Sequence, residues 1–277
     1  MLADAVVELT ASGSDSPRLD ADVLVMHLLK IDRTELLAHP EREITEKQYR
    51  DFIKFIERRK TGEPVSYITG DKEFWSLNFK VAKDVLIPRP ETECLIEEVL
   101  RFYSFPSDGL RICDIGTGSG VIAIVLAKEL PSVRVMATDN SAGALAVAAE
   151  NALRHGVAGR IDFFKTDILA GVSGDFDVIC SNPPYISDDE YPSLPEGIRN
   201  FEPREALVAG AKGLAVHRKI IAEGTRRLKA GGRIFIEIGA GQKDAVISIF
   251  IEEGGYCDIH CRKDYGGMDR VLSARRS

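Results

Sequence analysis

The apolar positions of the chain change their spacing along its length, and the first part has the spacing of helices. Up to about residue 70, apolar side chains recur three and four residues apart, at Leu2, Val6, Val7, Leu19, Val23, Met26, Leu29, Leu36 and Leu37. A further helix begins at Thr45 and ends at the Gly-Glu-Pro turn over residues 62–64. Its apolar side carries Phe52, Ile53 and Ile56. This pattern predicts an all-helical N-terminal domain, residues 1–72.

The last of these helices is rich in basic side chains, namely Lys47, Arg50, Lys54, Arg58, Arg59 and Lys60. A solvent-exposed helix face is the favoured interpretation of such a run, and contact with an acidic partner or with RNA is the alternative.

The next segment, residues 73–88, has the alternating pattern of strands. Leu77, Phe79 and Val81 alternate with polar residues and predict a short linking β-hairpin. The run Leu86-Ile87-Pro88-Arg89-Pro90 follows, and its two prolines predict a rigid turn. A helix is expected to begin at residue 91 or 92 and to extend through residue 100.

From residue 110 onward, short apolar runs alternate with helical stretches. The predicted strands cover residues 110–115, 133–138, 161–164, 176–180 and 233–238, and the predicted helices cover 119–130, 141–155 and 213–229. This alternation predicts an α/β catalytic domain over residues 89–277, with a doubly wound, mostly parallel sheet. Residues 256–261 and 270–273 are expected to form an antiparallel hairpin at the edge of that sheet.

Composition narrows the function classes. The chain has 277 residues, of which 44% are hydrophobic and 29% are charged, which is typical of a globular protein with about two domains. The net charge of −7 weighs against a protein whose main task is to bind nucleic acid. No apolar run approaches the length of a membrane span, and the first residues do not have the pattern of a secretory signal.

The cysteines favour a reducing, cytoplasmic location. There are five, an odd number, and three of them stand alone in apolar segments. Cys257, His260 and Cys261 lie close together in sequence, but no second pair completes a zinc site, so no metal is expected.

A glycine-rich turn follows the first predicted strand of the α/β part. It reads Asp114-Ile-Gly116-Thr117-Gly118-Ser119-Gly120 and leads into a helix. Glycines at this place allow a ligand to approach the backbone closely and to reach free helix N–H groups. The acid before the first glycine would repel a pyrophosphate but could accept a hydrogen bond from an ammonium group. The turn therefore favours a nucleoside that carries an amino acid over a dinucleotide.

Two further acids follow neighbouring strands. Asp139 ends the second strand, where a carboxylate can accept both hydroxyls of a ribose, whether of NAD or of S-adenosylmethionine. The alternative is that Asp139 caps the next helix together with Asn140 and Ser141. Asp167 and Ile168 follow the third strand, where an adenine would lie, although acids are common in turns.

The tetrapeptide Asn182-Pro183-Pro184-Tyr185 follows the fourth strand. Two prolines stiffen the loop, so that the Asn182 side chain and the Pro183 carbonyl can both accept hydrogens from one planar NH₂ group. Tyr185 offers an aromatic face for stacking. Such a site suits methyl transfer to an sp² nitrogen, because two acceptors favour the pyramidal geometry of the transition state.

In these residues the chain resembles the protein-(glutamine-N5) methyltransferases that modify class 1 peptide chain release factors, within the class I S-adenosylmethionine-dependent methyltransferases. The resemblance covers the helical domain and the following motifs: Phe74-Trp75, Ile87-Pro-Arg-Pro-Glu-Thr-Glu93, residues 114–120, Asn182-Pro-Pro-Tyr-Ile186 and Phe201-Glu-Pro-Arg-Glu-Ala-Leu207. The glycine motif is shared across a superfamily, and Asn-Pro-Pro-Tyr is shared with adenine-N6 methyltransferases. Their combination with the two Pro-Arg motifs is much more specific.

The resemblance implies methyl transfer from S-adenosylmethionine to the glutamine of the Gly-Gly-Gln motif of release factors. Gly116 to Gly120 and Asp139 would hold the cofactor, and Asn182 would contact both cofactor and glutamine. Pro183, Pro184 and Tyr185 would line the glutamine slot, and Arg89 would shape the wall near the methyl donor. Many family members have an aromatic residue after the acid at 167, whereas here Ile168 and Leu169 follow, so an aliphatic contact with adenine is expected.

Three other function classes share parts of this pattern. An adenine-N6 methyltransferase of DNA or RNA would share the site but should carry a target-recognition domain or a basic face. An NAD-dependent oxidoreductase would share the glycine turn and Asp139 and leaves residues 182–185 unexplained. A non-catalytic module that binds the release factor or the ribosome would need no cofactor site.

Overall fold

The computed structural model describes residues 1–103 and 109–277, and their contacts form two units. The helices are α1 (Leu2–Ala11), α2 (Pro17–Leu29), α3 (Arg33–Ala38), α4 (Glu46–Lys60), α5 (Val65–Thr69), α6 (Glu93–Tyr103), α7 (Val121–Glu129), α8 (Ala142–Arg154), α9 (Glu196–Arg199), α10 (Ala215–Arg227) and α11 (Lys243–Glu253). The strands are β1 (Asp71–Phe74), β2 (Leu77–Lys80), β3 (Arg111–Ile115), β4 (Arg134–Asp139), β5 (Ile161–Lys165), β6 (Phe176–Ser181), β7 (Leu228–Glu237), β8 (Tyr256–Lys263) and β9 (Asp269–Arg276).

The helical unit consists of residues 1–71 together with 195–201. Its core contains Phe52 and Ile56 of α4, as the helical spacing predicts. The N-terminal helices differ in part from the prediction, because Val7 and Leu37 are 68% and 61% exposed. Smaller or neighbouring residues fill that core instead, namely Ala5, Leu9, Ala21, Leu24, Val25 and Ile68.

Helix α4 begins and ends where the sequence predicts. Thr45 is its N-cap and forms a capping box with Gln48, which satisfies free N–H groups at the helix start. Five of its six basic side chains pair with carboxylates: Arg50 with Glu46, Lys54 with Asp51, Arg58 with Glu63, Arg59 with Asp20, and Lys60 with Glu8 and Glu57. These pairs neutralise most of the basic face.

The second unit consists of residues 72–194 and 202–277 and contains a seven-stranded sheet. The strand order is β5-β4-β3-β6-β7-β9-β8, and neighbouring strands are parallel except for the antiparallel pairs of β9 with β7 and β8. The predicted mostly parallel sheet with an antiparallel C-terminal strand is therefore confirmed. Strand β7 begins at Leu228, earlier than predicted, and helix α11 was not predicted.

The register of the central strands aligns their carboxyl ends. Ile115 of β3 pairs with Thr138 of β4 on one side and with Ser181 of β6 on the other. Ser181 in turn pairs with Ile236 of β7. The loops after β3, β4, β6 and β7 therefore leave the sheet at one level, where α/β proteins bind their ligands.

The predicted hairpin is present but shorter than residues 73–88. Strands β1 and β2 are joined by Trp75 and Ser76, which both have positive φ. Phe74 and Phe79 belong to a core cluster of the sheet unit. Within the described residues, no helix combines the length and the apolar character that crossing a bilayer requires.

Candidate active site

A cavity of about 710 Å³ opens at the carboxyl ends of β3, β4 and β6. This size is typical of a site for a small molecule or cofactor. Eleven of the fourteen residues that the sequence analysis assigns to the site line it: Arg89, Gly116, Thr117, Gly118, Ser119, Asp139, Asp167, Ile168, Asn182, Pro183 and Pro184. Asp114, Gly120 and Tyr185 are not among the lining residues, and each has another position.

The glycine loop leaves open space in front of its backbone. Gly116 and Gly118 have φ of +71° and +55°, and a Cβ atom added to either would meet no atom within 4 Å. Gly120 differs, because an added Cβ would lie 2.9 Å from the Ile124 side chain and 3.1 Å from Ala148. Without side chains at Gly116 and Gly118, the cavity side of the loop stays open to a ligand. Gly120 instead allows α7 and α8 to pack closely.

Asp114 lies beneath the glycine loop and is fully buried. Its Oδ2 accepts hydrogen bonds from the Thr117 hydroxyl at 2.6 Å and from the Ala123 backbone N–H at 3.2 Å. Burial raises the pKa of Asp114 to about 7, although these hydrogen bonds oppose the shift. From the sequence, this carboxylate is expected to meet a ligand ammonium group. The structure instead directs it inward, where it holds the loop against the start of α7.

Asp139 lines the cavity and also holds two backbone segments. Its Oδ2 accepts from the Gly118 N–H at 3.0 Å, and its Oδ1 accepts from the Ser141 N–H at 2.9 Å. Ser141 itself is the N-cap of α8, with its side chain accepting from Ala144. Each carboxylate oxygen keeps a further lone pair, so both roles considered for Asp139 are compatible.

Asp167 and Ile168 lie at the β5 side of the cavity. The Asp167 side chain is 65% exposed, and Lys219 of α10 donates to it at 3.1 Å. Ile168 has φ of +57°, an unfavourable backbone conformation for a β-branched residue. Its carbonyl accepts from the Thr138 hydroxyl at 3.0 Å, which helps to hold this conformation. Strain of this kind is common where backbone shape serves a site. No motif in the sequence points to Lys219.

The loop after β6 is held from several sides. The Asn182 Nδ2 donates to the Thr92 hydroxyl at 2.9 Å. Gln242 donates to the Tyr185 carbonyl at 2.9 Å, and a Cβ added to Gly213 would lie only 2.2 Å from that carbonyl oxygen. Burial raises the pKa of Tyr185 to about 12, so its phenol stays neutral. Tyr185 therefore lies behind the cavity wall, and the contacts of its carbonyl with Gln242 and Gly213 fix its backbone.

Arg89 meets a residue that the sequence analysis did not single out. Its Nη2 donates to Glu202 Oε1 at 2.6 Å, and the other oxygen of Glu202 accepts from the Ile87 N–H at 3.3 Å. The Glu202 side chain is only 1% exposed. This ion pair joins the Ile-Pro-Arg-Pro loop to the Phe-Glu-Pro-Arg loop. Both loops carry motifs of the resemblance, which is the signal that could have revealed the pairing.

Two further buried groups belong to this region: Thr92, which lines the cavity, and Glu237, which does not. The Thr92 hydroxyl donates to Glu237 Oε2 at 2.8 Å, and Glu237 is fully buried. Burial raises the pKa of Glu237 to about 7. An acid inside the apolar run 233–238 was a visible signal of an unusual role, but the sequence alone did not connect it to Asn182.

The arrangement fits S-adenosylmethionine. Open space before Gly116 and Gly118 can accept a ligand against the backbone, and Asp139 offers a carboxylate at the end of the neighbouring strand. Asn182 lines the same cavity, so a methyl donor and an acceptor nitrogen can share it. Among the described residues, no group of three or more His, Cys, Asp or Glu side chains is arranged to hold a metal ion.

Two family models match the chain: the PrmC N-terminal domain over residues 1–70 and the methyltransferase small domain over residues 92–194. A methyltransferase of known structure from Pyrococcus furiosus has the same fold. Its TM-score is 0.54 at 21% identity, and the match covers 74% of this chain and 91% of that one.

Curated relatives match this chain over nearly its whole length. The release factor glutamine methyltransferase of Nitratidesulfovibrio vulgaris is 42% identical over 280 residues, covering 100% of this chain and 94% of the relative. The Escherichia coli protein of the same name is 40% identical, covering 99% of this chain and 97% of the relative. The chain therefore belongs to the family of release factor glutamine methyltransferases, which use S-adenosylmethionine.

Proposed function

We propose that this protein transfers the methyl group of S-adenosylmethionine to the side-chain amide nitrogen, N5, of the glutamine in the Gly-Gly-Gln motif of class 1 peptide chain release factors. The observation that carries this proposal is the position of Asn182. It follows Ser181, which pairs with Ile115 at the start of the glycine loop, so an acceptor for an amide lies beside the cofactor cavity.

Asn182 and Pro183 act on the glutamine amide. The amide lone pair is delocalised, and acceptance of both hydrogens by the Asn182 oxygen and the Pro183 carbonyl favours a pyramidal, nucleophilic nitrogen. Bound S-adenosylmethionine supplies an electrophilic methyl group on a sulfonium. The N–C bond forms as the S–C bond breaks, and the nitrogen then loses a proton to solvent. Pro184 lines the glutamine slot, Tyr185 supports it from behind the cavity wall, and Arg89 shapes the neighbouring wall.

The cofactor residues are those around the glycine loop and the two strand ends beside it. Residues 116–119 receive the amino-acid part against their backbone, and Asp139 accepts the ribose hydroxyls. Asp167 and Ile168 contact the adenine, where Ile168 gives an aliphatic surface. Asp114 and Gly120 contribute through the shape of the loop, because the former holds Thr117 and the latter allows α7 to pack on α8.

The helical domain, residues 1–72, takes part in docking the release factor. A specific protein interface needs about 800 Å² on each partner, far more than a glutamine slot offers. The neutralised face of α4 and the net charge of −7 also argue against stable nucleic-acid binding. A translation factor as substrate and a chain with unpaired cysteines favour the cytoplasm as the compartment.

The test is to incubate the protein with S-adenosylmethionine labelled in its methyl group and purified class 1 release factor, and then to map the label by mass spectrometry. We expect one methyl group on the Gly-Gly-Gln glutamine and none on a release factor in which that glutamine is replaced by alanine. DNA and RNA are offered in parallel reactions. Label on adenine, with none on glutamine, would refute the proposal and favour an adenine-N6 methyltransferase.

A further inference from the structure

Three side chains form a continuous hydrogen-bonded chain from the protein interior to the cavity. Glu237, at the end of β7, accepts at 2.8 Å from the Thr92 hydroxyl, which in turn accepts at 2.9 Å from the Asn182 amide nitrogen. Glu237 and Thr92 are 0% and 2% exposed. Burial makes these hydrogen bonds necessary, because a polar side chain in the interior is costly without a partner.

The chemistry of the chain fixes its direction. An ionised carboxylate can only accept, so the Thr92 hydroxyl must give its hydrogen to Glu237. The lone pairs of Thr92 can then only accept, and the group that Asn182 turns toward Thr92 must be its NH₂. The Asn182 oxygen is on the other branch of the amide. Because Asn182 lines the cavity, that oxygen remains the branch available to a ligand there.

We propose that Glu237 and Thr92 are positioning residues that hold the Asn182 amide with its oxygen, rather than its nitrogen, available to the substrate glutamine. This inference rests on the proposed function, in which Asn182 accepts a hydrogen from the glutamine amide. A reversed Asn182 would present NH₂ to NH₂, and the two donors would repel each other instead of activating the nitrogen.

Protonation of Glu237 removes the constraint. A neutral carboxyl can donate to Thr92, which frees the Thr92 hydrogen for the Asn182 oxygen and permits the reversed amide. The groups that face Glu237 are Arg270 of β9, Arg89 and Glu91 of the loop before α6, Tyr185 after β6, and His217 of α10, whose Nε2 lies 3.1 Å from the Glu237 carbonyl.

The balance of these groups leaves Glu237 titrating near neutrality. Burial raises its pKa to about 7, with Glu91 adding to the rise and with Thr92, Arg270 and Arg89 opposing it. Burial lowers the pKa of His217 to about 4, so His217 stays neutral in this range. As the pH rises through about 7, a larger fraction of the enzyme has an ionised Glu237, and in that fraction the hydrogen bonds hold the Asn182 oxygen toward the substrate. We therefore expect kcat to increase over the same pH range.

The experiment compares Thr92→Val with Thr92→Ser. Valine has nearly the same shape and lacks the hydroxyl, so kcat should fall by about tenfold or more, the cost of a misdirected buried amide. Serine keeps the hydroxyl and should retain kcat within about threefold of the wild type, since its chain of hydrogen bonds is intact. In both variants the Kd for S-adenosylmethionine and the KM for release factor should stay near wild-type values.

Equal kcat for the valine variant and the wild type, or equal loss in both variants, would overturn the inference while leaving the proposed function in place. The absence of glutamine methylation by the wild-type protein would instead refute the proposed function.

Glu237→Gln supplies an independent measurement, because a neutral amide does not titrate. Its kcat should lose the inflection near pH 7 that the wild type shows. Retention of that inflection would exclude Glu237 as its source.

Discussion

Replacement of Asp139 by asparagine should weaken cofactor binding, and the structure gives the reason. In the wild type, both carboxylate oxygens already accept from backbone N–H groups, those of Gly118 and Ser141. Asparagine keeps the shape but turns one oxygen into NH₂. Whichever way the amide is oriented, this NH₂ faces one of the two N–H donors, and one backbone hydrogen bond is lost.

The magnitude follows from the number of acceptors lost. A hydrogen bond to a charged group contributes about 1.5 to 3 kcal/mol, and the variant loses the charge as well as one acceptor. Since 1.4 kcal/mol corresponds to a tenfold change in affinity, the Kd for S-adenosylmethionine should rise by about 10- to 100-fold. Part of this loss comes from the ribose and part from a less ordered Gly118 loop.

Isothermal titration with S-adenosylmethionine measures the effect directly. Asp162→Asn is the matched control, because it makes the same charge change at an exposed position of β5 that does not line the cavity. The control should bind as the wild type does. The rise in melting temperature at saturating cofactor should also be smaller for Asp139→Asn, as mass action requires. A Kd within twofold of the wild type would refute the role of Asp139 as a ligand and as the support of the loop.

Three further substitutions test other parts of the site. Asn182→Ala should lower kcat by about 10²- to 10³-fold, the typical effect of losing one preorganised polar group, with the fold intact by circular dichroism; wild-type kcat would contradict its acceptor role. Gly213→Ala should lower both the melting temperature and kcat, because its Cβ would lie 2.2 Å from the Tyr185 carbonyl oxygen, whereas Gly231→Ala, also at positive φ but in open space, should lower only the melting temperature. Asp114, with its pKa raised to about 7, binds more protons when folded than when unfolded between about pH 4 and 7, so the free energy of unfolding should fall as the pH rises through that window and level off above it. Asp114→Asn should remove this contribution, and urea titrations at pH 5, 6, 7 and 8 would reveal an unchanged slope if the reasoning fails.

The strands of the sheet unit could be predicted because buried parallel strands are continuous apolar runs. The runs at 161–164 and 176–180 correspond closely to β5 and β6. Strand β7 is a harder case, because its first residues, Leu228 to Gly232, include lysine and two glycines that resemble the end of a helix. Their pairing with β6 extends the strand, and only the tertiary structure supplies that information.

In the candidate site, residues within local motifs could be predicted, whereas their partners from distant parts of the sequence could not. Motifs that lie next to a strand end, such as Gly116 and Asn182, could be found from spacing alone. The partners of these residues could not, since Glu202 lies 113 residues from Arg89 and Glu237 lies 145 residues from Thr92. No periodicity in a single sequence connects positions so far apart. The contacts of Asp114 have a related explanation, because its neighbours in sequence do not reveal that its buried Oδ2 accepts from Thr117 and Ala123.

The shared level at which the central strands end has a consequence for how this protein acquires its activity. The glycine loop and the Asn182 loop begin at Ile115 and Ser181, which lie 66 residues apart and are joined by strand register and by the Ser181 hydroxyl donating to the Ile115 carbonyl. Pairing of such distant segments is slow, because the loop between them must close first. A slip of one residue would turn every side chain of β6 to the opposite face. Recovery of methyl transfer after dilution from denaturant therefore reports the moment at which the middle of the sheet has formed in its correct register.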